Sequence, residues 1–263
     1  MSRPYVHGYD PRESERLHDQ AGTLVELLHG DTAYPAGARV LETGCGVGAQ
    51  TVTLAARSPN ARFTSIDLSA ESVAQARTRG LENVEFAQAD IFALPFAPGS
   101  FDHVFVCFVL EHLAQPVQAL AHLKAMLKPG GTITVIEGDH GSAYFHPDSA
   151  AANEAIQCQV TLQREAGGDS LIGRQVYPLL VAAAFADVAV SARMVYVDSS
   201  RPQLVDGFTR KTFTAMIEGV REPAIERGLI TAERFDEGVR DLYRTAEDDG
   251  TFCYTFFKGV GIN

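Results

Sequence analysis

Basic side chains are scarce in this sequence. Lys and Arg together number 22 against 33 Asp and Glu in 263 residues, which leaves a formal net charge of -11 and a pI near 5.1. No run of Lys and Arg breaks this pattern, so a phosphate backbone or an anionic membrane surface would be repelled, and neither nucleic acid nor a bilayer is expected as a partner. No apolar stretch reaches the length of a membrane-spanning helix, and Met1-Ser-Arg-Pro-Tyr-Val-His-Gly8 lacks the apolar run of a secretory leader. The expectation is a soluble, cytoplasmic protein. The four cysteines, Cys45, Cys107, Cys158 and Cys253, stand far apart, which suggests free thiols in a reducing compartment. Neither C-x-x-C nor H-E-x-x-H occurs, and no metal is expected. Internal repeats and low-complexity tracts are also missing.

What is present is enough to fold. With 46% hydrophobic and 21% charged residues, the chain can bury the core of one large α/β domain. The stretch Arg39-Val-Leu-Glu-Thr-Gly-Cys-Gly-Val-Gly-Ala-Gln-Thr-Val-Thr53 sets the plan: a short apolar run ends on an acid, and three closely spaced glycines follow. It reads as strand, tight turn and helix, a place where backbone approaches a ligand at a helix N-terminus. Gly44, Gly46 and Ala49 also satisfy the dinucleotide fingerprint G-x-G-x-x-G/A, so the turn alone leaves the ligand open.

The same plan recurs downstream. Arg62-Phe-Thr-Ser-Ile-Asp67 is a strand ending on an acid, with Ser69 placed to cap a helix from Ala70 to Arg79. Asn83 to Asp90 repeats the strand and the acid, and Leu94 to Gly99 reads as a loop. Phe101 to Val109 is the near-continuous apolar run of a parallel strand buried on both faces. Pro116 opens a helix that stops at Lys128-Pro-Gly-Gly131, and Thr132 to Glu137 is a fifth strand. Alternation of this kind predicts a parallel sheet with helices on both faces and a ligand at the carboxyl ends of the strands. Glu42, Asp67, Asp90, Glu111 and Glu137 all fall at or just beyond those ends.

The flanks are less regular. Asp10-Pro-Arg-Glu13 has the form of a helix entry, with Leu17, Ala21, Leu24, Val25 and Leu28 on one face. After Glu137 a long connection runs to Gly173, with helix around Ala150 to Glu165, then a helix near Gln175 to Ala184 and a strand from Asp187 to Val197. Two amphipathic helices between Ser199 and Gly250 read as a cap, and Thr251 to Phe257 as the last strand. The organisation expected is one domain over 1–263: an N-terminal helical segment 1–35, an α/β core 36–198, a helical cap 199–250 and a final strand 251–263.

Val40-Leu-Glu-Thr-Gly-Cys-Gly-Val-Gly48, Asp67, Ala89-Asp90, Phe101 to His112 and Leu127-Lys-Pro-Gly-Gly-Thr132, in that order and spacing, resemble the motif set of class I S-adenosylmethionine-dependent methyltransferases, nearest the ubiquinone/menaquinone-type small-molecule branch. The resemblance is close over 36–137 and follows by plan only in the last two strands. It implies a Rossmann-like, doubly wound, seven-stranded and mostly parallel sheet with an antiparallel last strand. It also implies S-adenosylmethionine as cofactor, S-adenosylhomocysteine as product and a small-molecule acceptor, in a monomer or homodimer. By the same resemblance Gly44, Cys45, Gly46 and Gly48 accommodate the methionine and ribose portion, and Asp67 accepts from the ribose hydroxyls. Asp90 accepts from the adenine amine, Leu68 and Ile91 wall the ring, Glu42 lies under the methionine amine and sulfonium, and Phe108 completes the cofactor set.

In-line methyl transfer mainly needs an oriented nucleophile, with a base only where the acceptor must lose a proton. Candidate catalytic groups are His140, His112 and Tyr9; candidate acceptor-binding groups are Glu111, Tyr144, His146 and Arg174. The segment Glu137-Gly-Asp-His-Gly-Ser-Ala-Tyr-Phe-His-Pro147 is read as an ionisable loop beyond a strand end, with His140 foremost. Two other functions stay open at this point: a nicotinamide-dependent oxidoreductase, which leaves Asp90 and Leu127 to Gly131 unexplained, and a non-catalytic cofactor-binding protein on the same fold.

Overall fold

The computed structural model describes residues 22–263. Along them run α1 (Val25–His29), β1 (Arg39–Thr43), α2 (Ala49–Arg57), β2 (Arg62–Asp67), α3 (Ala70–Arg77), β3 (Val84–Gln88), β4 (Phe101–Cys107), α4 (Pro116–Met126) and β5 (Leu127–His146). There follow α5 (Ala150–Glu165), α6 (Val176–Ala182), β6 (Ala186–Val197), a helical run of Pro202–Leu204, Val205–Thr214 and Ala215–Glu218, then α7 (Arg221–Glu226), α8 (Ala232–Arg244) and β7 (Thr251–Ile262). The helix entry expected at Asp10 lies outside the described residues, while Leu24 and Leu28 of the expected apolar face are buried. No helix among the described residues is long and apolar enough to cross a membrane.

The strands form one sheet in the order β3-β2-β1-β4-β5-β7-β6, mostly parallel, with the last strand antiparallel. The chain winds outward from β1 through β2 to β3, then returns to place β4 on the other side of β1. Between β1 and β4 the winding therefore reverses, and the carboxyl ends of those two strands diverge into the crevice where ligands of such sheets bind. Burial explains their composition: Val40 to Thr43 and Val104 to Cys107 are shielded on both faces, which requires apolar runs rather than alternation.

The chain divides into two compact units. The α/β unit holds Val25–Gly138, Ile172–Arg193 and Phe256–Asn263. Its core gathers Leu41, Val104, Val106, Leu120, Leu123 and Val135, so that α4 covers the middle strands. Pro116 occupies the first turn of α4, where its missing N–H costs nothing. Helix α6 rests on β7 at Gly259, where a Cβ would come within 2.4 Å of Val176 Cγ1. Lys258, buried on β7, bonds Asp31 Oδ1 and Thr32 Oγ1 at 2.6 Å each and ties the segment after α1 to the last strand.

The helical unit comprises, among the described residues, 22–24, Asp139–Leu171 and Met194–Thr255. Here α5 and α8 lie close, with Gly238 of α8 facing the Ala151 carbonyl and Arg234 gripping both oxygens of Glu154 at 2.8 and 2.9 Å. Phe208, Phe213, Phe252 and Tyr254 interlock as its aromatic core.

One expectation is corrected. The stretch after Glu137 is not a loop, because β5 continues to His146. Gly138 and Gly141 suggest a break, yet the strand is held from across the sheet: Thr255 N–H donates to Ser142 Oγ at 2.9 Å, and the Phe145 ring stacks on Phe252. The helix expected to reach Arg79 ends at Arg77, and the helix near 175–184 is α6, preceded by a 3-10 turn at Ile172–Gln175.

Gly259→Ala should lower stability by about 1–3 kcal/mol through overpacking between α6 and β7, read as a reduced urea midpoint at constant slope. An unchanged midpoint would show that α6 yields without cost.

Candidate functional site

The turn after β1 is a run of left-handed glycines. Gly44, Gly46 and Gly48 have φ of +67°, +51° and +75°, a region closed to most side chains. Each is demanded differently. A Cβ on Gly44 would lie 2.4 Å from Val109 Cγ2, and one on Gly48 would press on the Arg79 side chain and Ala76. A Cβ on Gly46 would meet nothing within 4 Å among the described residues, so toward them this backbone is open at the carboxyl edge of the sheet. Cys45 turns the other way, into a cluster with Val73, Ala76 and Phe86, and burial raises its thiol pKa. Any contact it makes with a ligand is therefore through its backbone.

Two acids fix this turn. Asp67 Oδ2 accepts the Gly46 N–H and its Oδ1 the Ser69 N–H, both at 2.8 Å, so one carboxylate bridges the glycine turn and the entry to α3. Each oxygen keeps a lone pair for a further donor. Glu42 is buried, and its Oε2 accepts from Thr51 Oγ1 at 2.8 Å and Ser65 Oγ at 2.6 Å. Burial pushes its pKa up to about 7, against the lowering effect of those two hydroxyls; the Asp67 charge adds to the rise. The sequence does not single out Thr51 or Ser65, because Ser65 is the register partner of Glu42 only once β1 and β2 are aligned, although a buried acid needs donors.

Beyond β2 and β3 lie Leu68, Asp90 and Ile91. Leu68 is 53% exposed although large and apolar, Ile91 is buried, and Asp90 Oδ1 accepts the Phe92 N–H at 2.9 Å. A flat apolar wall beside an exposed acceptor suits a heteroaromatic ring with an amino group.

The exit from β4 is the other wall of the crevice. Phe108 has φ +57°, its N–H donates to the Ile136 carbonyl, and its ring lies 5.6 Å from that of Phe256. A 3-10 turn at Leu110–His112 follows, bringing Glu111 Oε1 to 3.5 Å from His112 Nε2. The turn at Ile172–Gln175, which carries the exposed Arg174, packs against it. The α/β unit thus brings Glu111, His112 and the Arg174 turn together, with the cofactor candidates in the same unit.

His140, Tyr144 and His146 belong to the helical unit, on the extension of β5. His140 is buried, its Nδ1 is 2.8 Å from Tyr254 Oη, its N–H donates to the Ser170 carbonyl, and its ring meets Phe213 edge-on. Tyr144 and His146 are exposed. Tyr9 lies outside the described residues. Among the described residues no three His, Cys, Asp or Glu gather as a metal-binding group.

Residues 41–135 match the methyltransferase domain family, a span that opens on β1, takes in the glycine turn, Asp67, Asp90 and the β4 exit, and closes inside β5. Over that span the chain is similar to a methyltransferase domain. An uncharacterised 37.1 kDa protein in a transposon of Streptomyces fradiae is 37% identical over 187 residues, 70% of this chain and 54% of that one. Trans-aconitate 2-methyltransferase of Deinococcus radiodurans is 35% identical over 154 residues, 57% of this chain and 56% of it. The chain spans about half the length of these relatives. Among solved structures, the cyclase SpnF superposes with a TM-score of 0.57 at 22% identity, over 93% of this chain and 80% of that one. Phosphoethanolamine N-methyltransferase 2 of Haemonchus contortus, solved with S-adenosylhomocysteine, gives 0.57 at 18% identity over 93% and 52%. At such identities the likeness is one of fold, and a cyclase among the neighbours shows that this fold serves more than one reaction.

Within the matched span, Glu42 makes stability depend on pH. Its folded pKa of about 7 exceeds the ordinary 4.5, so the folded chain keeps the proton to higher pH than the unfolded chain does. Stability is then undiminished below the unfolded pKa and falls as pH rises through the folded one, by about 3 kcal/mol in all. Glu42→Gln, which cannot ionise, should gain stability over the wild type by about 2 kcal/mol more at pH 8 than at pH 5, read from urea unfolding. A constant difference at both pH values would show that Glu42 does not titrate in this window.

Proposed function

We propose that the chain binds S-adenosylmethionine and directs its methyl group to a small-molecule acceptor. The observation that carries this reading is the pairing of an open, left-handed Gly46 with acids on both sides of it, Glu42 and Asp67. S-adenosylmethionine supplies a methyl group already activated by a sulfonium, and this cation sets what the chain must provide. Glu42, which titrates near neutral pH, offers a negative charge to the methionine amine and sulfonium end, and those cations favour its ionised form. Asp67 keeps one lone pair on each oxygen for a ribose diol while its other bonds hold the turn in shape. Asp90, Leu68 and Ile91 offer an acceptor and apolar walls to the adenine.

On the acceptor side the reading assigns Glu111, His112 and Arg174 to substrate contact and orientation, with Phe108 at the crevice wall. His140 enters on sequence grounds as a base for an acceptor that must lose a proton, with Tyr144 and His146 as further contacts. Transfer to a carbon held by a sulfonium asks chiefly for alignment and exclusion of water, so these groups act by placing the nucleophile. A nicotinamide-dependent oxidoreductase is disfavoured because its pyrophosphate would face Glu42 and Asp67, while Arg79, the basic side chain at this turn, donates to the Val47 carbonyl.

Calorimetric titration with S-adenosylmethionine and with NAD tests the cofactor, and binding of NAD alone would reject the proposal. Asp67→Ala, losing two charge-assisted acceptors and the clip on Gly46, should raise the S-adenosylmethionine dissociation constant by about tenfold or more. Conversion to S-adenosylhomocysteine across a panel of small acceptors separates an enzyme from a binding protein. His140→Ala should reduce turnover with a positive acceptor far more than cofactor affinity, and unaltered turnover would remove it from the reaction.

A further inference from the structure

Glu137 sits in the core of the α/β unit, fully shielded from solvent, and none of the roles assigned above uses it. Its Oε1 accepts two successive backbone amides, from Val109 at 3.0 Å and Leu110 at 2.7 Å, while Oε2 is buried with no hydrogen-bond partner among the described residues. The Phe108 N–H, one residue earlier, donates to the Ile136 carbonyl at 2.9 Å. Three consecutive amides leaving β4 are thus held by two consecutive residues of β5.

What they hold is an unfavourable turn. Phe108 adopts a left-handed φ of +57°, a conformation bulky side chains rarely take and keep only where the surroundings over-determine it. Its neighbour Val109 then projects onto the glycine turn, with Cγ2 in the space that a Cβ on Gly44 would need. Glu111 and His112 ride on the same turn.

We propose that Glu137 is a positioning residue: by accepting the Val109 and Leu110 amides it seats Val109 against Gly44, and so holds both the cofactor turn and the Glu111–His112 turn in register. The proposal rests on the cofactor reading given above. Burial and the Glu111 charge push the Glu137 carboxyl above its usual range, and the backbone N–H groups of this turn act against that rise. Facing it are Glu111 and, through the same turn, His112, with the Cys107 thiol at the end of β4. Two backbone N–H donors need only a carbonyl-type oxygen at the position of Oε1. Glutamine therefore replaces Glu137 and alanine does not.

The test compares Glu137→Gln and Glu137→Ala with the wild type by calorimetric titration of S-adenosylhomocysteine and by hydrogen exchange at the Val109 and Leu110 amides. Glu137→Ala should weaken binding by about tenfold and lose protection at those two amides, whereas Glu137→Gln should stay within about threefold of the wild type and keep it. Wild-type affinity in Glu137→Ala, or equal loss in both variants, would overturn the proposal, and the glutamine variant keeps the test decisive if the alanine variant fails to fold. A wild-type protein that ignores S-adenosylhomocysteine would overturn the cofactor reading instead, while exchange at Val109 and Leu110 would still decide whether Glu137 holds the turn.

Discussion

The α/β unit depends on one carboxylate doing two jobs of alignment. Asp67 takes a backbone N–H on each oxygen, from Gly46 behind it and Ser69 ahead, so the end of β2 fixes both the turn after β1 and the start of α3. Without that clip three left-handed glycines in five residues would be free to sample many conformations, because glycine carries the largest backbone entropy of any residue. Charge-assisted bonds to backbone amides are among the stronger hydrogen bonds, and here they are spent on shape. Ser69 adds a second constraint by accepting the Ser72 N–H as the N-cap of α3.

Around that clip the buried polar groups form a chain of dependence. Glu42 is tolerated inside the sheet because Thr51 on α2 and Ser65 on β2 both donate to it, which links the helix after the glycine turn to the two strands beside it. On the other wall, Val109 fills the room that Gly44 leaves, and Glu137 secures Val109. A side chain at Gly44, a lost donor to Glu42 or a lost acceptor at Asp67 would each disturb the same few backbone atoms. Their effects on ligand binding are accordingly expected to be non-additive.

Much of this was legible in the sequence, because parallel strands buried on both faces write themselves as apolar runs and because glycine and acid punctuate their carboxyl ends. The bounds of β2 and α5 and the start of α4 follow directly from the residues, and so does the capping role of Ser69. The stretch from Gly138 to His146 misled for a physical reason. Two glycines, an aspartate and a serine signal a break in local terms, whereas pairing with the aromatic half of β7 supplies the hydrogen bonds and stacking that keep it extended. Local propensity loses to cross-strand partners there. Hydroxyls in apolar segments carry no pattern; only the register of β1 on β2 for Ser65, and the placement of α2 for Thr51, reveals that they share one acid. Glu137 read as one of five strand-end acids, and its distinct task needed the position of the Val109 and Leu110 amides.

The sign of the charge at the carboxyl edge is the strongest argument about the ligand. Glu42, Asp67, Asp90 and Glu111 lie at or beside strand ends, and the partners found for Glu42 and Asp67 are hydroxyls and backbone amides rather than Lys or Arg. A pyrophosphate placed on that glycine turn would add negative charge where burial already pushes one carboxyl pKa up to about 7. A sulfonium with an ammonium beside it does the reverse: each positive charge favours the ionised acid, recovers part of what burial costs it, and binds more tightly as pH rises through the Glu42 titration. The glycines alone accommodate either ligand, and the buried acid next to them separates the two.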